Sequence, residues 1–233
     1  HLDYHKNMKD YLNSKLYLFK KLIKRNGNVI TDKSIPQFRK IKKVCKNNNL
    51  KLNFLSSNKE NSQIEIKSHN YQGEGQLIEL AYKKLRFKFV LHLIGKVQIT
   101  NVLMAAIAAE KSGIKVNSIF NKLSKIKPVN GRLEKIGKIN NNSKVILDYA
   151  HTPDALKTVL ENIKDQFFNK KISIVFGCGG DRDKTKRMLM GRLANLYCDK
   201  IFLTDDNPRN ENPNSIRQEI KKGIKTKKIF EIS

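Results

Sequence analysis

The sequence predicts an α/β protein in two parts, the second a doubly wound parallel sheet. Three observations carry that reading. After Pro128, short apolar runs of strand length alternate with segments of helical period, the order that crossover-connected parallel strands require. Before Pro128, helical-period segments flank residues 60–94, where apolar and polar residues alternate in short runs. The loops richest in glycine, proline and charge all follow strand-like runs, which is where open α/β sheets bind ligands.

The elements follow in order. Tyr11, Leu12, Leu16, Leu18, Phe19, Leu22 and Ile23 recur at helical spacing, so residues 8–25 read as one helix ending at Asn26-Gly27. A strand at 28–31, a helix at 35–47 and a strand at 50–55 come next, then hairpins or a meander through residue 94. Gly95 opens a helix read as Asn101 to Lys111, and another spans 116–126 before Lys127-Pro128. In the second part Val145-Ile146-Leu147 reads as a buried strand and 154–167 as a helix capped by Thr152 or Asp154, with Pro153 in its first turn. The strand 172–176, helix 187–198, strand 201–203, helix 215–223 and a strand start at Ile229 complete the pattern.

Composition sets bounds. With 39% hydrophobic and 29% charged residues the chain can bury a core, and no apolar run is long enough to span a bilayer. The net charge of +26 would favour polyanions, but the excess is Lys, spread along the chain among many Asn. That distribution argues against a dedicated nucleic-acid module, which would interleave aromatics with Arg on one face. Cys45, Cys178 and Cys198 are odd in number and lack CxxC spacing, so a reducing cytoplasm is expected rather than disulfides or zinc.

Chemistry concentrates in a few segments. Asp206-Asn207-Pro208-Arg209 follows a strand, and a planar guanidinium on a proline-stiffened loop suits bidentate capture of a small carboxylate. Gly177-Cys178-Gly179-Gly180 could form an anion nest, followed by Asp181-Arg182-Asp183. Asp148 and His151 stand at the mouth of a strand, placed for a sugar hydroxyl or a phosphate. No GxxxxGK[ST] motif occurs in these residues.

Together these segments resemble the Mur ligase family. The resemblance rests on His1-Leu2-Asp3-Tyr4-His5 with Met8, Tyr11 and Lys15; on Asn101 in the helix opened by Gly95; and on Gly131-Arg132-Leu133-Glu134. It continues through Asp148 to Leu156, Phe176 to Lys184, and Asp206 to Arg209, in register across nearly the whole chain. It implies that residues 1–130 are the second half of the central ATP-binding domain. Residues 131–233 would be an incomplete Rossmann-like C-terminal domain that binds the amino acid.

The resemblance also implies an ATP-dependent acid–amino-acid ligase of peptidoglycan synthesis, which serves cell shape and division. It would add meso-2,6-diaminopimelate to UDP-N-acetylmuramoyl-L-alanyl-D-glutamate through an acyl phosphate. ATP and Mg2+ are the implied cofactors, with Lys15 carbamylated to N6-carboxylysine and ligating the metal beside His1. Lys15, Arg132 and His151 are the implied catalytic residues. Asn101, Arg132, Asp148 and His151 would lie by the nucleotide, Asn101 recognising the base and Arg132 stabilising phosphate charge. Arg182, Asp206, Asn207, Pro208 and Arg209 would form the diaminopimelate pocket, where lysine, lacking the far carboxylate, would leave Arg209 unpaired.

Gln98 stands where relatives carry Asn, and Met188 where Pro is frequent. The family's P-loop, its acidic-serine-histidine segment and its late Gly-Lys-Gly-His-Glu segment are not among these residues. The chain is therefore expected to be partial at both ends and, by itself, not to ligate. A monomer without nucleic-acid or membrane partners is expected. The same-fold alternative is another Mur-type ligase, or a folylpolyglutamate or cyanophycin synthetase relative, which Asp206 to Arg209 argues against.

Overall fold

The computed structural model describes residues 5–56, 64–139, 142–225 and 228–232. The chain divides into two compact units, His1–Val129 and Asn130–Ser233.

In the first unit, helix α1 (Met8–Tyr17) starts where the Asn7 side chain accepts the N–H of Asp10 at 2.9 Å. The expected single helix to residue 25 ends sooner. It closes in a π turn, Leu18–Leu22, and Ile23 then turns extended to pack beside Leu16, Val29, Ile41 and Cys45. Strands β1 (Asn28–Asp32) and β2 (Lys51–Leu55) pair in parallel around the crossover helix α2 (Phe38–Asn47). That helix buries Ile41 and Cys45 and leaves Arg39, Lys40, Lys42, Lys43 and Lys46 in solvent.

The alternating segment forms an antiparallel meander, β3 (Ile64–Gln72), β4 (Gly75–Tyr82) and β5 (Leu85–Leu91). Lys83 and Lys84 both take left-handed φ, +48° and +67°, as a two-residue hairpin turn demands. The Lys83 ammonium is held by Glu110, which also accepts the Tyr82 hydroxyl at 3.0 Å. Gln76 on β4 is fully buried, and its amide donates to the carbonyls of Leu93 at 2.8 Å and Gly95 at 3.1 Å. Those two bonds fix the chain where helix α3 (Lys96–Lys111) begins. The expected helix 116–126 is broken at Asn121-Lys122 into α4 (Val116–Phe120) and a 3₁₀ turn (Leu123–Lys125). The break brings both Phe120 and Leu123 onto the core formed by α3 and the meander.

The second unit opens with an antiparallel hairpin, β6 (Glu134–Ile139) and β7 (Ser143–Leu147). The sequence pattern misses β6, whose lysines and Gly137 break the apolar alternation. β7 is also not the buried strand its composition suggests, because Leu147 is 48% exposed. Helix α5 (Pro153–Gln166) begins as expected, with Thr152 accepting the N–H of Ala155 and Pro153 in the first turn. Then β8 (Ser173–Phe176), α6 (Thr185–Tyr197), β9 (Lys200–Thr204), α7 (Pro213–Lys221) and β10 (Lys228–Ile232) build a parallel sheet in the order β10-β9-β8.

The parallel α/β sheet expected of this part is present, with three strands among the described residues. The two crossovers described, through α6 and α7, step along the sheet in one direction. Among the described residues α5, α6 and α7 pack on the face carrying Ile174, Ile201 and Leu203, while Val175 on the other face is 64% exposed.

Helices α6 and α7 approach closely through glycine. A Cβ on Gly191 would stand 2.1 Å from the carbonyl oxygen of Ile220. Gly191→Ala is expected to force the helices apart and to cost about 1–3 kcal/mol, read as a lower urea midpoint with unchanged far-ultraviolet helicity at zero denaturant. An unchanged midpoint would refute the contact.

Candidate functional site

The two turns that stand out in the sequence meet in the second unit. The glycine turn leaves β8 and the Asp206–Arg209 loop leaves the neighbouring strand β9, so parallel pairing delivers both to one end of the sheet. Their contact is backbone against backbone. A Cβ on Gly180 would lie 1.8 Å from the Pro208 carbonyl oxygen, and one on Gly177 would lie 2.4 Å from that of Thr204. The glycines are there for this approach. Two N–H groups of the turn are already engaged within the protein, that of Gly180 by the Asn207 carbonyl at 2.9 Å and that of Asp181 by Glu211 at 2.6 Å.

Arg209 is held part-way. Its Nη1 donates to the carbonyl of Gly180 at 2.7 Å and to that of Asn207 at 3.4 Å, while the residue remains exposed. The plane of the guanidinium is thereby set from its Nη1 end. Arg209 and Asp181 both take left-handed φ, +51° and +50°, unusual for residues with a Cβ. Asn210 donates to Asp181 through its backbone and its amide, tying the two strained residues together. Arg182, Asp206 and Asn207 are exposed on the same pair of loops, and Pro208 is half-buried against Gly180.

Beneath the loops lies a group the sequence did not reveal. Arg187, 0% exposed, pairs fork to fork with Glu211, both bonds 2.9 Å, and donates to Glu219 at 2.9 Å. Lys184 adds a bond to Glu211 at 3.0 Å. The Arg187 guanidinium, followed by the Asp181 N–H and Lys184, holds the Glu211 carboxyl down to about 2. Arg217, also buried, pairs with Asp205 at the other end of the loop and with Glu231. One clue was available: Glu211 is an acid directly after the loop in a chain with 47 basic and 21 acidic residues.

A second cluster gathers at the end of β7. The Arg132 guanidinium lies 5.5 Å from the Tyr149 ring centre, and the His151 ring meets Tyr149 edge-on at 5.4 Å. Tyr149, 67% exposed, was not singled out in the sequence, although an exposed aromatic at a strand mouth is a signal in itself. Asp148 does structural work: its oxygens accept the N–H groups of Leu133 at 2.8 Å and Ala150 at 2.9 Å. Those bonds hold the turn at Gly131 and Leu133, where φ is +67° and +47°.

In the first unit Lys15 is exposed on α1, its ammonium 5.5 Å from the Tyr11 ring centre. Asn101 is exposed on α3 and donates to Gln98 at 3.3 Å. His1 lies outside the described residues. The structure thus groups Arg132 with His151 and Arg182 with Asp206–Arg209, and places Lys15 and Asn101 in the other unit.

Comparison with known proteins follows the two units. Residues 1–109 match the Mur ligase middle domain, and residues 131–233 match the Mur ligase, glutamate ligase domain. The chain is 40% identical over 235 residues to the UDP-N-acetylmuramoyl-L-alanyl-D-glutamate--2,6-diaminopimelate ligase of Rickettsia typhi, covering all of this chain and 46% of that protein. It is 36% identical to the protein of the same name from Zymomonas mobilis, over 94% of this chain and 45% of that one. A solved structure of a ligase of that name superposes with a TM-score of 0.62 at 31% identity, covering 100% and 47% of the two chains. MurF ligase from Thermotoga maritima in complex with ADP shares the fold, with a TM-score of 0.73 at 22% identity over 100% and 50%. The chain spans about half the length of the curated relatives it matches.

The Glu211 carboxyl sits near 2 in the fold against an ordinary 4.5, so its stabilisation is present above about 4.5 and is lost as pH falls toward about 2. Glu211→Gln is expected to flatten that part of the acid-unfolding curve, followed by urea midpoint between about pH 5 and pH 2. Parallel curves for the two proteins would show that Glu211 is not held by the cluster.

Proposed function

The chain belongs to the Mur ligase family, and on that premise we propose that the polypeptide carrying it adds meso-2,6-diaminopimelate to UDP-N-acetylmuramoyl-L-alanyl-D-glutamate at the expense of ATP. The observation that supports this reading most directly is Arg209. Its guanidinium is anchored through Nη1, and among the described residues its Nε–Nη2 edge has no bonded partner. Diaminopimelate differs from lysine by a carboxylate on the far carbon, and that edge is shaped to receive one.

The chain's own residues then divide the work. Arg182, Asp206, Asn207 and Pro208, on the two interlocked loops, would surround the amino acid while Arg209 takes its distal carboxylate. Arg132 and His151 would face phosphate charge, with Tyr149 fixing the guanidinium through its ring. Asn101 would read the base from α3, and Asp148 would keep the Arg132 turn in shape.

Magnesium, where bound, would neutralise phosphate charge. Among the described residues no group of three or more His, Cys, Asp or Glu could hold a metal ion. A carbamylated Lys15 would add a single anionic arm, short of the oxygen set a hard cation requires. The described residues do not by themselves build that site, and the steps assigned to this chain are binding and orientation.

Another Mur-type ligase or a folylpolyglutamate synthase would share the fold. Those structures are 22% identical or less and carry no information on the amino acid. The test uses the whole polypeptide encoded by the gene, with phosphate release measured in the presence of the UDP-linked dipeptide. Diaminopimelate is expected to support turnover and L-lysine to fail. Arg209→Ala is expected to lower kcat/KM for diaminopimelate by about a hundredfold or more. Equal use of L-lysine would refute the reading. The 233-residue chain alone is expected to give no diaminopimelate-dependent product, and product from it would overturn that expectation.

A further inference from the structure

The amino-acid pocket rests on a buried charge that nothing in the reaction requires. Arg187 is fully buried, and its Nε has no hydrogen-bond partner among the described residues. An orphaned buried donor costs about 1–3 kcal/mol, and apolar residues of similar volume commonly do as well or better than a buried ion pair. Stability is therefore a weak reason for this arrangement. Its geometry suggests another. Glu211, two residues after Arg209, accepts the Arg187 fork and also the N–H of Asp181 on the opposite loop. Arg187 in turn donates to the carbonyl of Gly179 at 3.3 Å. One carboxylate and one guanidinium thus hold both loops from below, on either side of the Gly180 carbonyl that anchors Arg209.

We infer that Glu211 and Arg187 are positioning residues that set amino-acid specificity. By locking the glycine turn to the Asp206–Arg209 loop, they fix the Arg209 guanidinium where only an amino acid with a distal carboxylate meets it. This rests on the proposed reading of the pocket. Glu219, which touches Arg187 but neither loop among its described bonds, is the internal contrast.

The experiment compares Glu211→Gln, Glu219→Gln, Arg187→Lys and Arg209→Ala in the whole polypeptide. It measures KM for diaminopimelate, KM for ATP, kcat, the preference over L-lysine, and hydrogen exchange at Asp181 and Gly180. Glu211 is only partly buried and its replacement nearly isosteric, so that variant keeps the test alive if Arg187→Lys does not fold. Glu211→Gln is expected to raise KM for diaminopimelate at least tenfold, to narrow the preference over lysine, and to speed exchange at both amides. KM for ATP and kcat at saturation should stay within about twofold, and Glu219→Gln should do less on every count. Unchanged KM for diaminopimelate in Glu211→Gln, or a drop in kcat alone, would overturn the inference while Arg209→Ala still raises that KM. If Arg209→Ala leaves that KM unchanged, the pocket reading fails and this inference falls with it.

Discussion

The second unit depends on the closeness with which two loops from adjacent parallel strands can approach. Gly180 admits the Pro208 carbonyl at a distance no side chain would allow, and Gly177 does the same for Thr204. Once the backbones touch, the bonds across them become possible: Gly180 to Asn207, Arg209 to Gly180, and Asn210 to Asp181. Two residues are then held in left-handed φ, a conformation that costs about 1–2 kcal/mol when a Cβ is present. The strain persists because the crevice is determined several times over, from the side by hydrogen bonds and from beneath by Arg187 and Arg217.

Much of this was legible in the residues. Periodicity located the strands and helices of the parallel sheet, and glycine and proline marked both loops. Pattern failed where context decides the outcome. The hairpin of β6 carries lysines and Gly137 in place of alternation, and β7 is apolar yet half in solvent, so its burial was overestimated. The single helix expected at 8–25 stops at Leu22, where Ile23 turns extended and packs against the cluster of Leu16, Val29, Ile41, Cys45 and Leu50.

The site divides in the same way. The residues proposed to face a ligand could be named because motifs carry them. The residues that hold them could not, since Arg187 and Glu219 lie thirty-two positions apart and nothing local says they meet. Asp148 shows the converse, a polar residue at a strand mouth that first serves its own backbone. Charge at a strand end therefore marks a region of interest without saying whether the group faces inward or outward.

The sheet of the second unit has a further consequence. On the face away from the helices Phe202 and Phe230 stack at 4.8 Å beside the exposed Val175, an apolar strip on an otherwise cationic body. Copies of a protein with a net charge of +26 repel one another, and that repulsion keeps such strips apart in dilute buffer. Screening shortens its reach to about 10 Å at 0.1 M salt. The lysine excess thus opposes contact between copies of this chain through that strip, and the opposition weakens as ionic strength rises.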